Sequence, residues 1–145
     1  MTILVDSNVV VAAYYRDHIH HAFSDRLLSE KSPDCLIASH SLSEAYNHLT
    51  RGPSGMPPLA PLQAAKLITA FASTIKCRAI TAAEVLAMIE SFAALGGRGA
   101  RLYDYLIGAV AVLEGADTIA TWNVRHFAPL FPALRIATPE QLLES

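Results

Sequence analysis

Four side chains in this sequence can share one piece of chemistry: the carboxylates of Asp6, Glu44 and Asp104, and the carboxamide of Asn123. All four supply hard oxygen donors, and no lysine lies near any of them in sequence to neutralise the acids. Oxygen-only sets of this kind suit Mg²⁺ or Mn²⁺. Gathered without a cation, the same carboxylates repel and raise one another's pKa. Divalent ions in such a set deprotonate a water, polarise a phosphoryl oxygen and steady a leaving oxygen; two ions about 3.5–4 Å apart divide these tasks. The chemistry in view is metal-assisted hydrolysis of a phosphate ester.

Each residue also has a local explanation. Asp6 can cap a first helix. Glu44 closes the pattern Ser41-x-x-Glu44, a capping box, and that reading stands level with the ligand reading. Asp104 can complement a helix dipole, and Asn123 can serve as a left-handed turn residue. The conjunction of the four favours the site.

The elements that must position them follow from periodicity and turn signals. "TILV" is a first strand ending at Asp6, and "NVVVAAYY" a first helix. "HHAFSDRLLSE" carries Phe23, Leu27 and Leu28 at helical spacing. "CLIA" is a second buried strand, followed by the helix of "SHSLSEAYNHLT". The stretch 51–61 holds two glycines and four prolines and reads as a loop, with Pro61 opening the helix "LQAAKLITAFAS". "KCRAI" is a third strand, Thr81 caps the helix "AAEVLAMIESFAAL", and "GGRGAR" is a basic loop before a helix over 102–113. "DTIAT" is the fourth strand; a short strand near "LRIA" and a helix capped by Thr138 complete the chain. Strands alternating with helical crossovers predict an α/β protein, a three-layer α/β/α sandwich with a mostly parallel sheet, as a single domain over residues 1–145. In such sheets ligands bind beyond the carboxyl ends of the strands, at a switch in strand order. Asp6, Glu44, Asp104 and Asn123 all fall at that edge, whereas Asp117 opens the fourth strand and lies at the other end.

Composition narrows the classes. With 52% hydrophobic and 17% charged residues the chain can bury a substantial core. The run "ILVDSNVVVAAYY" is too short and too polar for a membrane span. Cys35 and Cys77 open apolar stretches without zinc-like spacing and read as core-facing thiols of a reducing cytoplasm, with a disulfide as the alternative. The net charge of −2 means that lysine and arginine alone do not supply the positive charge a polyphosphate needs. There is no G-x-S-x-G and no phosphate-binding G-x-x-x-x-G-K-[ST].

"ILVDSNVVVAA", "SLSEAYNHLTR" and "RLYDYLIGAVAVLEGADTIATWNVRHF" together resemble the PIN-domain proteins, specifically the VapC-type toxins of bacterial and archaeal toxin–antitoxin operons. The first and last segments are the specific ones. On this resemblance the family's three acids fall at Asp6, Glu44 and Asp104, and its fourth position, Asp or Asn in relatives, falls at Asn123. It implies an endoribonuclease dependent on Mg²⁺ or Mn²⁺, a homodimer, and a VapB-type antitoxin that blocks the acidic pocket and represses the operon as a complex. The RNA it implies ranges over transfer, ribosomal and messenger RNA.

Further candidates surround the four. Arg98, Arg101 and Arg125 are potential phosphate contacts or simply solvated cations. Thr121 can hold an acid or a water through its hydroxyl, and Ser7 and Asn8 can brace the turn around Asp6, with Asn8 also a substrate contact. Trp122 can stack an unpaired base or pack on its neighbours. His18 and His21 of "HIHH" read as surface or dimer contacts, and His126 as part of a packed turn with Phe127. Rival readings are a nuclease for structured DNA, a phosphoacceptor domain and a non-catalytic interaction module. The chain has no arch or duplex-binding segment for the first, and no paired acids after the first strand or late lysine for the second.

Overall fold

The computed structural model describes residues 1–144, Ser54 by its backbone alone. Five strands form one sheet: β1 (Ile3–Val5), β2 (Cys35–Ala38), β3 (Lys76–Arg78), β4 (Thr118–Ala120) and β5 (Arg135–Ala137). Their order is β3-β2-β1-β4-β5 and every pairing is parallel. The sheet is thus wholly parallel where the sequence predicts a mostly parallel one, and the last short strand joins it as β5.

Continuous apolar triplets make the central strands because both of their faces are covered. Ile3 and Val5 point into one core with Ile37, Leu27, Leu49 and Leu142, whereas Leu4 points into the other with Leu36, Ile107, Val110 and Ile119. The first core lies under α1 (Ser7–Tyr14), α2 (His21–Lys31), α3 (Ser39–Arg51), α4 (Pro61–Ala72) and α8 (Pro139–Glu144). The second lies under α5 (Ala82–Ala94), α6 (Arg101–Leu113) and the one-turn α7 (Val124–Phe127). Sequence reading treats the segment of α7 as a turn; four residues are too few for a period to show.

The helix ends explain themselves locally. Thr81 and Glu84 form a reciprocal capping box on α5, and Thr138 pairs with Gln141 in the same manner at α8. Gly52 ends α3 at φ 83°, where a Cβ would collide with the Met56 carbonyl. The helix of "SHSLSEAYNHLT" departs from the prediction, because β2 runs straight into α3 at Ala38 and no side chain caps the helix.

The edge strand β3 corrects another expectation: Cys77 is exposed, not core-facing, while Cys35 is buried as predicted. With a neighbour on one side only, three residues bury little, and β3 is tied down by charge instead. Arg78 bridges Glu84 of α5 at 2.6 Å, and Lys76 bridges Glu114 at 2.8 Å. Helix α5 buries Met88 and Phe92 but leaves Leu86 64% and Ile89 41% exposed, so one of its apolar faces is uncovered. Among the described residues no helix is long and apolar enough to cross a membrane.

Gly108 is closely packed, since a Cβ there would overlap the Phe131 ring, itself stacked on Tyr105. Gly108→Ala is expected to cost about 1–3 kcal/mol through overpacking, despite the gain in helix propensity. Urea unfolding should show a lowered midpoint with an unchanged slope.

Candidate functional site

Strand order creates the site. Connections run from β1 outward to β2 and β3, then return to β4 on the other flank of β1, so the switch point lies between β1 and β4. Val5 pairs with Ala120, and the Asp6 N–H continues the ladder to the Ala120 carbonyl at 3.0 Å. The residues just beyond, Asp6 and Thr121, therefore meet.

Their meeting is specific. The Thr121 hydroxyl donates to Asp6 Oδ2 at 2.8 Å and accepts from the Asn8 amide at 3.2 Å and the Asn123 N–H at 3.0 Å. That fills its one donor and both acceptor sites. Asp6 is 7% exposed and also receives the Ser7 N–H on Oδ1 at 2.8 Å. Asn8 Oδ1 accepts the Trp122 N–H at 3.2 Å. Ser7, Asn8 and Thr121 thus brace the turn around Asp6, and both ends of the Asn8 carboxamide are engaged.

A cavity of about 380 Å³ opens over this turn, and Asp6, Glu44, Asp104 and Asn123 all line it. The four come from the ends of β1 and β4 and from α3 and α6, far apart in sequence. Glu44 is not the capping acid its spacing suggests. Helix α3 begins at Ser39, which sets Glu44 in the second turn, while Ser41 is buried with its hydroxyl unpaired among the described residues. Asn123 has φ −108°, outside the left-handed region, and makes no capping bond to α7.

The acids are held at a cost. Burial raises the Asp6 pKa, the Thr121 and Ser7 hydrogen bonds lower it, and Asp104 raises it again. Burial, with Asp6 and Asp104 facing it, pushes Glu44 up to about 7. Burial also raises Asp104, while His126 and Arg101 draw it down. The flanking cations are few. His40 Nε2 stands 3.3 Å from Glu44, yet burial lowers the His40 pKa, so the pair offers little charge at neutral pH. His40 also stacks on Tyr103, beside Asp104, which joins α3 to α6 at the rim.

The remaining candidates sort by geometry. His126 is 59% exposed with Nδ1 at 3.7 Å from Asp104, so Phe127 alone belongs to the packed turn. Arg101 donates to the His126 carbonyl at 3.1 Å, a contact that anchors α7. Arg125 is exposed and lines a neighbouring recess of about 250 Å³ with Asn123 and Trp122; Arg98 is exposed and lines neither. His18, half-buried, lines the main cavity, and His20 and His48 line it too. His21 instead bonds the Ala12 carbonyl at 3.0 Å. Sequence reasoning missed His20, His40 and His48; only the i, i+4 spacing of Glu44 with His40 and His48 hinted at the last two.

Among the described residues no three His, Cys, Asp or Glu side chains form a ready-made ion cage. The cleft is lined by hard oxygens on several elements, whose carboxylates a cation would relieve of mutual repulsion. Such a set fits Mg²⁺, which keeps part of its water shell and takes few carboxylates alongside substrate phosphates.

The chain matches the PIN domain over residues 3–128 and belongs to that family. Among curated proteins it is similar to ribonuclease VapC19 of Mycobacterium tuberculosis, 46% identical over 56 residues, a stretch covering 32% of this chain and 43% of that protein. The match therefore spans less than half of that relative's length. Among solved structures it resembles Mycobacterium tuberculosis VapC20, described as a sarcin–ricin-loop-cleaving toxin, at TM-score 0.71 and 19% identity over 88% of this chain and 95% of that one. It also resembles DNA-bound VapBC from Salmonella typhimurium, at TM-score 0.66 and 19% identity over 96% and 98%. FitAcB from Neisseria gonorrhoeae superimposes at TM-score 0.63 and 19% identity over 96% and 99%. The PIN fold is common to them.

Two measurements check the site. Thr121→Val keeps the shape but leaves Asp6, Asn8 and Asn123 without their shared partner, at an expected cost of about 1–3 kcal/mol in urea unfolding, whereas Thr121→Ser restores most of it. Glu44 has a folded pKa above its ordinary value, so its contribution to metal-free stability is full below that value and lost as pH rises through about 7. In chelator at about pH 8, Glu44→Gln should therefore stabilise the protein by about 1 kcal/mol, or a few degrees in Tm, with the gain shrinking towards about pH 5.

Proposed function

We propose that the chain is a Mg²⁺- or Mn²⁺-dependent endoribonuclease, the toxin of a VapC-type toxin–antitoxin pair. The convergence of Asp6, Glu44, Asp104 and Asn123 on one cavity at the sheet switch point carries this reading. The similarity to a ribonuclease, to a structure described as a sarcin–ricin-loop-cleaving toxin and to one of a DNA-bound VapBC complex supports it.

In this reading Asp6, Glu44 and Asp104 hold the ion, and Asn123 orients water or phosphate through its uncharged carboxamide. When bound, the ion supplies activated water and charge stabilisation at the phosphodiester. The chain's own part is positioning. Thr121 and Ser7 fix the Asp6 carboxylate, and burial beside Asp6 and Asp104 raises the Glu44 pKa, which a bound cation would draw back down. The exposed Arg101 and Arg125 carry the fixed positive charge near an otherwise acidic cleft. The expected products carry 5′-phosphate and 3′-hydroxyl ends, since water attack leaves the 2′-hydroxyl unused and RNA preference rests on recognition. A small VapB-type antitoxin would cover the acidic cavity. The uncovered apolar residues of α5 and α6, Leu86, Ile89, Val112 and Leu113, suit a homodimer seam.

Antitoxin-free protein is expected to cut a total-RNA pool with Mg²⁺ or Mn²⁺ and not with chelator. Glu44→Gln, folded by thermal melting, should lose about 10²-fold or more of that rate, the scale seen when one preorganised charge-stabilising group is removed. Chelator-resistant cleavage, or a fully active Glu44→Gln, would overturn the mechanism.

A further inference from the structure

The cavity over the carboxylates has a second kind of wall. Trp122, the chain's single tryptophan, lines it together with His18 and His20. The indole is fixed at two points: its Nε1–H donates to the buried Ser24 hydroxyl at 2.9 Å, and its backbone N–H donates to Asn8 at 3.2 Å. The His20 ring lies flat on it, with centroids 3.8 Å apart and planes 6° from parallel. The His18 ring follows at 5.7 Å, tilted by 42°. His18 Nδ1 accepts the His20 N–H at 3.0 Å, so the neutral ring carries its proton on Nε2 as a donor. Burial and the neighbouring histidines lower the His18 pKa and favour that neutral form.

Packing accounts for Trp122, which lies against the first core, but not for the histidines. Ile19, between the two histidines, is 86% exposed, so the segment's one aliphatic side chain is turned to water while its polar rings face the cavity. The array is also coupled to the acids. Trp122 sits between Thr121, which clasps Asp6, and Asn123, and Asn8 bonds both Thr121 and Trp122. A phosphate at the carboxylates would bring its attached nucleoside within the same 380 Å³, enough for one nucleotide but not a duplex.

We propose that the His18–His20–Trp122 wall is a nucleobase subsite, against which one unpaired base beside the scissile phosphodiester packs, with His18 Nε2–H donating to it. The subsite rests on the ribonuclease reading and adds what that reading lacks, a recognition element for single-stranded RNA. Any base offers a π-face, so stacking holds the strand, and the His18 donor discriminates among base edges.

The single tryptophan makes the subsite directly observable. Full-length Asp104→Asn protein in Mg²⁺, in which cleavage is suppressed, is titrated with hexaribonucleotides of differing sequence. Trp122 emission is followed alongside anisotropy of the labelled RNA. Saturable, sequence-dependent quenching by single strands and none by the matching duplex is expected. His20→Ala should weaken binding roughly 5- to 150-fold, the range of one stacked base, while His20→Phe, which keeps a ring, stays within about threefold of the parent. RNA binding with unchanged Trp122 emission, or with unchanged affinity in a folded His20→Ala, would overturn the subsite and leave the ribonuclease reading standing. Emission that answers only to an arginine-bearing peptide would make the wall a protein-docking surface instead. Absence of RNA binding, together with absence of RNA cleavage by the wild type, would remove both.

Discussion

One hydroxyl holds the site together. Thr121, fully buried at the end of β4, binds the Asp6 carboxylate, the Asn8 amide and the Asn123 N–H at once, joining segments 115 residues apart. Burying a carboxylate as deeply as Asp6 is unfavourable unless its oxygens are hydrogen-bonded. Here one oxygen is held by Thr121 and the other by the Ser7 N–H, and the first of these contacts requires the parallel register of β1 on β4. A slip of that register by one residue would turn Thr121 to the opposite face and leave Asp6 without it.

The electrostatics follow from that constraint. Asp6 cannot move far, so Glu44 and Asp104, which converge on it from α3 and α6, meet a fixed negative charge in a half-dry cleft. Burial raises both pKa values, and the charges of Asp6 and Asp104 push Glu44 up further; burial lowers the His40 pKa, and Arg101 makes its hydrogen bond to a backbone carbonyl rather than to an acid. The protein thus stores repulsion at one point of its surface. A divalent ion is the simplest agent that turns this repulsion into attraction, and a substrate phosphate then meets a site no longer anionic throughout. A net charge of −2 is compatible with a polyanionic substrate on those terms.

The same clasp ties the acid cleft to its aromatic wall. Asn8 touches both Thr121 and Trp122, so the turn that aims Asp6 also sets the tryptophan, and through it the His20 and His18 rings. In a cavity this small, a phosphate held at the carboxylates and a base resting on the rings would not be placed independently.

The sequence by itself determined most of the element types and the edge of the sheet at which the four candidate residues lie. Apolar triplets ending in Asp6 and in Thr121, helices opened by Thr81 and Thr138, and helical crossovers between strands all rest on local physics: period, caps and the burial of both strand faces. These were legible from residue order, and Asp6, Glu44, Asp104 and Asn123 could be set at one edge of the sheet on those grounds. Strand order, the start of α3, the exposure of Cys77 and the histidine wall were not legible, because each depends on which segments become neighbours. Ser41-x-x-Glu44 looks like a cap until β2 is seen to run directly into the helix. Cys77 looks buried until β3 proves to be an edge. "HIHH" looks like a surface run until Trp122, from the far end of the chain, lies flat against His20. Local sequence sets what each segment prefers to be; only tertiary packing decides which distant side chains share a cavity, and with it which of the acids shift their pKa.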